Sequence, residues 1–220
     1  MYAEVPCYCV EFYFAIVTGN LTSENMKISI ITATYNSAST LRDTIESVLA
    51  QTYQDIEYII VDGASKDDTL DIIHHYEPLF NGRLKYVSEP DKGLYDAMNK
   101  GIDMATGDAV GVLNSDDFFT HKDVIKGVAE AMSDEQIDAV YGDVHYVDGV
   151  DITKVVRYYS SHKFTRKRML GGYMPAHPTF YLRRECYERY GNFDISYPVA
   201  ADFEHLLRLI YVNNIRVRYI

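Results

Sequence analysis

From residue 26 onward, short β-branched runs alternate with stretches in which apolar residues recur every three or four positions. Residues 28–33 (Ile-Ser-Ile-Ile-Thr-Ala) read as a strand, and Leu41, Ile45, Val48 and Leu49 then fall at helical spacing behind Ser39, a candidate N-cap. Residues 57–61 (Glu-Tyr-Ile-Ile-Val) make a second strand ending at Asp62-Gly63, after which Ser65-Lys66-Asp67-Asp68 opens a helix through about Tyr76 in the manner of a capping box. Residues 84–88 form a third strand; Leu94, Ala97, Met98, Ile102 and Ala105 mark a helix closed by Gly107. Residues 109–113 are apolar throughout, as a strand buried on both faces requires. Strand and helix in turn predict an α/β fold: a parallel sheet, helices on both faces, right-handed crossovers.

The second half is less regular. Val124, Val128 and Ala131 suggest a helix, and residues 139–141, 144–147 and 152–157 are short strands parted by Gly142-Asp143 and Asp148-Gly149, which predicts a mixed or antiparallel edge to the sheet. Arg183 and Arg184 open a helix through Tyr190; Phe203, Leu206, Leu207 and Ile210 mark another, with Asp202 placed to cap it. Residues 216–220 read as a strand with no closing element after it. Residues 1–25 look separate from this pattern. Their apolar run carries Glu11 and lacks a basic start, whereas Met26-Lys27-Ile28 reads as a natural beginning. The expected organisation is an extension over 1–25 outside the fold, then halves 26–117 and 118–220 of one continuous domain, truncated at its C-terminal end.

With 47% hydrophobic residues the chain can fill a core, which excludes disorder. Its net charge of −11 argues against nucleic acid and against nonspecific docking on anionic lipid. A phosphorylated ligand stays open, because a bound metal reverses the local sign. Cys7, Cys9 and Cys186 form neither a disulfide framework nor a zinc spacing, so a reducing cytoplasm is expected. No stretch has the apolar length that spans a bilayer. There are 20 tyrosines and no tryptophan, so those outside the core are candidate walls of a sugar or base site.

In doubly wound sheets ligands bind outside the carboxyl ends of the strands. Here those ends deliver Thr34-Tyr35-Asn36, Asp62-Gly63, Glu89-Pro90-Asp91-Lys92-Gly93 and Asn114-Ser115-Asp116-Asp117. Adjacent carboxylates where a strand emerges repel each other, and they make sense around a hard divalent cation such as Mg²⁺ or Mn²⁺, which takes carboxylate and phosphate oxygens. The bland alternative is an acidic turn that caps the next helix. Residues 163–168 (Lys-Phe-Thr-Arg-Lys-Arg) are a basic run in an acidic chain, either a solvated loop or a mobile segment that meets pyrophosphate or an anionic acceptor.

At this point residues 27–219 resemble the family 2 glycosyltransferases, nucleotide-sugar-dependent inverting enzymes of the GT-A fold. The resemblance rests on residues 30–36 (I-I-T-A-T-Y-N), 47–53 (S-V-L-A-Q-T-Y), 59–69 (I-I-V-D-G-A-S-K-D-D-T), 91–101 (D-K-G-L-Y-D-A-M-N-K-G), 113–117 (L-N-S-D-D), 190–194 (Y-G-N-F-D) and 200–204 (A-A-D-F-E), in that order. It implies a three-layer α/β/α GT-A architecture with a smaller mixed region on the acceptor side. It implies that Thr34 and Tyr35 touch the nucleotide base, that Asp62 contacts base or ribose, and that Lys92 reaches base or phosphate. Asn114, Ser115 and Asp116 occupy the family's D-x-D motif with Asn first, which leaves Asp116, together with Asp117, as the metal ligands. Ser115 or Asp116 can equally contact the ribose.

The resemblance further implies that Asp202 is the general base, with Glu204 as fallback, and that His177 meets the acceptor, the diphosphate or the metal. The expected cofactor is a divalent metal, Mn²⁺ or Mg²⁺. The expected partners are a nucleotide-sugar donor, most simply a UDP-sugar, and a glycan or lipid-linked acceptor in polysaccharide or surface-glycan biosynthesis. The expected place is the cytoplasm, with peripheral association at the inner membrane face. A dinucleotide oxidoreductase is set aside because Thr34-Tyr35-Asn36-Ser37 has no G-x-G-x-x-G turn. A noncatalytic nucleotide-sugar-binding or scaffold protein of the same fold is the alternative.

Overall fold

A computed structural model describes residues 8–11, 26–149 and 151–220 of the 220-residue chain. In chain order the elements are β1 (Tyr8–Glu11), β2 (Ile28–Thr34), α1 (Leu41–Leu49), β3 (Ile56–Asp62), α2 (Thr69–Tyr76), β4 (Leu84–Ser88), α3 (Leu94–Met104), β5 (Ala109–Val112), β6 (Phe118–Phe119) and α4 (Val124–Met132). There follow β7 (Ala139–Tyr141), β8 (Asp143–Val147), β9 (Val155–Tyr159), β10 (Tyr181–Arg183), α5 (Arg184–Tyr190), α6 (Ala201–Leu206) and β11 (Val217–Tyr219).

Seven strands form one sheet in the order β11-β7-β10-β5-β2-β3-β4. All neighbours run parallel except β10, which is antiparallel to both β5 and β7. The mixed character expected at an edge therefore lies inside the sheet. Side chains alternate across the two faces as the strand period requires. Ile28 and Ile30, with Tyr58 and Ile60, pack against α1, α2 and α4, whereas Ile31, Ala33, Ile59 and Val61 pack against α3, α5 and α6. At Gly111 of β5 the opposite residue is Tyr181, and a Cβ would sit 2.3 Å from its ring, so glycine makes room for a fully buried tyrosine.

The second sheet has four strands, β6-β1-β8-β9. Residues 1–25 do not all stand apart as expected: β1 pairs in parallel with β6 and antiparallel with β8, satisfying backbone groups that both strands would otherwise leave open. Residues 1–7 and 12–25, and the rest of that expectation with them, lie outside the described residues.

Helix ends differ from the sequence reading in instructive ways. Helix α1 starts behind Thr40, not Ser39, and its first turn has no side-chain cap. Ahead of α2, Asp68 at the cap position makes no side-chain cap bond, while Asp67 Oδ1 accepts from the Thr69 N–H (3.1 Å) and hydroxyl (2.5 Å). Helix α3 ends at Met104 with extended Ala105 following, so Gly107 does not close it. Gly107 instead lies against the β2 backbone, where a Cβ would come within 2.7 Å of the Lys27 carbonyl oxygen. Helix α6 continues at Leu207–Val212 as a π-helix, visible in the Asn213 N–H donating to the Arg208 carbonyl five residues back.

Candidate active site

Strand β2 lies between β3, which the chain enters next, and β5, to which it returns after β4. The connections thus leave in opposite directions from β2 and β5, and the crevice between their carboxyl ends is where this topology places a ligand. Two loops meet there and are tied together. Ser37 and Ser115 share a hydrogen bond of 2.9 Å, and the Thr40 hydroxyl donates to the Ser115 carbonyl at 2.8 Å. Thr34 is buried with its hydroxyl unpaired, while Tyr35 presents an exposed ring beside it.

Asp62 is fully buried. Its Oδ2 accepts from the Ser65 N–H (3.0 Å) and the Ser88 hydroxyl (2.6 Å), and Oδ1 from the Ser65 hydroxyl (2.5 Å). Such a carboxylate shapes the rim from behind. Asp91 comes close to Gly63 and the Tyr35 ring: a Cβ on Gly63 would lie 2.5 Å from Asp91 Oδ2 and 3.3 Å from that ring. Lys92 is exposed at the mouth, its backbone N–H donating to Asp96 at 3.0 Å.

The acidic turn divides its labour unequally. Asp117 is fully buried, and its Oδ2 accepts from the Asn114 side-chain amide at 2.7 Å. Asp117 is thus set deeper than Asp116, with one oxygen engaged by a donor. Asn114 Oδ1, by contrast, is buried with no hydrogen-bond partner, a cost that an incoming ligand can relieve. Asp116 is half-buried, and burial pushes its carboxyl above the usual range, offset only in part by its own N–H. A cation beside the carboxylate would offset that penalty. No cluster of three or more His, Cys, Asp or Glu side chains suited to a metal occurs among the described residues. The orphaned Asn114 Oδ1 and the Asp116 carboxylate are oxygen donors of the kind a hard divalent ion takes, with water and ligand oxygens completing its shell.

Asn114, His177 and Asp202 line one cavity of about 400 Å³. Asp202 is the second residue of α6, behind Ala200 at the cap position, and no side chain caps this helix. The capping role open to Asp202 from the sequence is thus not the one it has. Its Oδ1 instead accepts from the Tyr95 hydroxyl at 3.0 Å. Burial lowers the affinity of His177 for a proton, while the neighbouring Asp202 raises it, and the balance falls on the neutral side. Glu204, the fallback base, is spent elsewhere: Arg208 Nε and Nη2 donate to its two oxygens at 2.8 and 3.0 Å. His205 is buried between Tyr187 and Phe193, and burial, then Arg208 and His177, push it down to about 3, so it is a neutral packing residue.

The remaining cavity wall is apolar and aromatic, with Met98, Tyr146, Tyr159, Met174 and Phe203. The basic segment beside it is docked. Arg166 donates to the Tyr211 carbonyl and to Asn214 Oδ1, and Arg168 lies over the Tyr173 ring at 5.2 Å. Lys163 and Lys167 are exposed. The structure thus gathers Asn114, His177 and Asp202 around one cavity, joins Ser115 to the loop after β2, and sets Asp62 and Asp117 behind the surface. Tyr95, which lines the cavity, was not singled out from the sequence although it lies in the motif of residues 91–101; the signal was its position just past the third parallel strand, on the same rim.

A family model described as Glycosyl transferase family 2 matches residues 29–191. The "PGL/p-HBAD biosynthesis glycosyltransferase" of Mycobacterium bovis (strain BCG / Pasteur 1173P2) is 34% identical over 181 residues, covering 82% of this chain and 68% of the relative. Among solved structures, the mannosyltransferase PcManGT from Pyrobaculum calidifontis, in complex with GDP-Man and Mn²⁺, superposes with a TM-score of 0.69 at 22% identity, over 89% of this chain and 55% of that one. S. aureus TarS 1-349 in complex with UDP-GlcNAc gives 0.64 at 22% identity, over 83% and 54%. The chain thus spans about half the length of these two solved proteins, and at this identity they show the shared GT-A-like fold.

Proposed function

The chain belongs to glycosyl transferase family 2, whose members are inverting transferases, and from that premise we propose that it moves a sugar from a UDP-sugar to a hydroxyl of a glycan or lipid-linked acceptor. The observation that carries this reading is Asp202: a carboxylate spent neither on a helix cap nor on an ion pair, aligned by a phenol at 3.0 Å, on the wall of a cavity it shares with Asn114 of the D-x-D position.

In this mechanism Asp202 takes the proton of the acceptor hydroxyl as that oxygen attacks the anomeric carbon, and the nucleotide diphosphate departs from the opposite face with the bonding electron pair. The two reactants are held in line by the crevice, which supplies much of the advantage over free solution. Tyr35 and Asp91 flank the place of the base, and the loops joined by Ser37 and Ser115 hold the ribose end. Asp116 and Asn114 Oδ1 would hold Mn²⁺ or Mg²⁺, which when bound offsets negative charge on the leaving phosphate. His177, kept neutral by burial, is available as a hydrogen-bond partner for the acceptor. The apolar wall of Met98, Tyr146, Tyr159, Met174 and Phe203 supports an acceptor whose hydroxyl is carried on a lipid or ring-bearing portion. No helix among the described residues is long and apolar enough to cross a membrane. Work in the cytoplasm, at the inner membrane face where lipid-linked acceptors occur, is part of the proposal.

The test is UDP release from a panel of UDP-sugars with lipid and aryl-alcohol acceptors, with and without Mn²⁺, alongside thermal stabilisation by UDP. Asp202→Asn should lose transfer by about 10²–10⁴-fold while keeping its stabilisation by UDP. Asp116→Ala should lose the Mn²⁺-dependent part of that stabilisation. Normal transfer by Asp202→Asn would remove the base. A parent protein that binds UDP-sugars but transfers to no acceptor would favour the noncatalytic reading, which Asn114 at the first position of the D-x-D motif also suits.

A further inference from the structure

We propose that Tyr95 is the positioning residue of the base: its hydroxyl holds the Asp202 carboxylate in place and adjusts its own hydrogen bond as the proton arrives there. Tyr95 is the second residue of α3, lines the same cavity, and approaches Asp202 from an element 107 positions away in the chain. Its oxygen lies 3.0 Å from Asp202 Oδ1 and 3.1 Å from the Val199 carbonyl. A phenol carries one proton, and two acceptors at nearly equal range share it. Burial, then the charge of Asp202, push the phenol up to about 12, so it stays a donor at neutral pH. The ring is fixed against Phe193, centroids 5.6 Å apart, so packing aims the hydroxyl.

The pair of acceptors has a mechanistic use, which rests on Asp202 being the base. Before transfer the Asp202 carboxylate accepts from the Tyr95 hydroxyl. During transfer the acceptor O–H proton moves to Asp202, the acceptor oxygen bonds to the anomeric carbon, and the bond from that carbon to the diphosphate breaks with its electrons leaving on phosphate. Asp202 is then a carboxylic acid and can donate, while Tyr95 turns its own proton to the Val199 carbonyl and accepts. Tyr95 neither gains nor loses a proton over the step. The other titratable and charged groups around Asp202 are His177 from the turn at His177–Thr179 and, on its own helix, Glu204 tied to Arg208 and the buried His205.

The experiment reads Asp202 directly and needs no acceptor. The carboxyl carbon of Asp202 is followed by NMR through a pH titration of ¹³C-aspartate-labelled protein, assigned by its loss in Asp202→Asn. Tyr95→Phe keeps the ring and removes the hydroxyl, and should raise the Asp202 midpoint relative to the parent by about one pH unit, a tenfold gain in proton affinity. The thermal midpoint in UDP should stay where it is, which a merely structural role would not allow. Incorporating 3,5-difluorotyrosine at position 95 strengthens the donor and should move the midpoint the other way; it decides the matter alone where Tyr95→Phe does not fold. An Asp202 midpoint unmoved by the substitutions that can be measured overturns the assignment of Tyr95. Failure of the transferase reading would appear in UDP release instead and leaves this titration untouched.

Discussion

Asn114 shows how one atom sets the character of a site. Its amide nitrogen is committed to Asp117 at 2.7 Å and its oxygen has no partner. Asn114→Asp would set two carboxylates at that separation, and like charges so close cannot both ionise without penalty. The substitution should lower the thermal midpoint of the ligand-free protein by several degrees, and Mn²⁺ should restore more of it than in the parent; calorimetry with and without Mn²⁺ checks this. Glu57 makes the opposite case. It is buried, which pushes its pKa up, but Lys85 at 2.6 Å, the Thr106 N–H and the Ser29 and Thr106 hydroxyls override that and bring it down from 4.5 to about 2. A depressed carboxyl contributes stability that is full above about 4.5 and is lost as pH falls toward about 2. Glu57→Gln should therefore flatten the acid limb of a stability-versus-pH curve in that window, by on the order of 2 kcal/mol once screening of the half-exposed Lys85 is allowed for.

At the scale of elements, α5 and α6 are joined by one guanidinium. Arg208 pairs with Glu204 and also donates to the carbonyls of Tyr190, Gly191 and Asn192, satisfying backbone groups at the C-terminal end of α5. Arg208→Met should cost about 2–3 kcal/mol in urea unfolding, whereas Glu204→Gln should cost less and leave transfer intact, as befits a residue outside the chemistry. The first four parallel strands were legible because their apolar runs are long and their ends polar. Helix starts were not, because the polar residues that flank them have tertiary partners: Thr40 is spent on Ser115 and Asp202 on Tyr95. Strand β10 has three residues, and nothing local announces that it enters the sheet antiparallel between β5 and β7. In the same way the rank order of the acids on the rim was hidden: Asp62 and Asp117 look as able as Asp91 and Asp116 until burial separates them.

For the whole molecule, the two sheets are bound by a buried acid. Asp143 of β8 accepts from the hydroxyls of Tyr158 in β9 and Tyr219 in β11, from Ser160, and from the Ser161 N–H at 2.6 Å. Four donors replace the water a buried carboxylate loses. Tyr219→Phe leaves that acid one donor short and should lower stability by about 1–2 kcal/mol, with the apolar ring contacts to Tyr141 and His162 preserved; chemical denaturation checks it. The widened turn at Leu207–Val212 lies between Asp202 and β11 on the way to this knot. Winding by five-residue closures accommodates one amino acid beyond what an ordinary helical path would hold, so it behaves as an insertion frozen into the chain. Excising a single residue there would remove that excess and return the segment to ordinary helical winding between Asp202 and the strand that carries Tyr219.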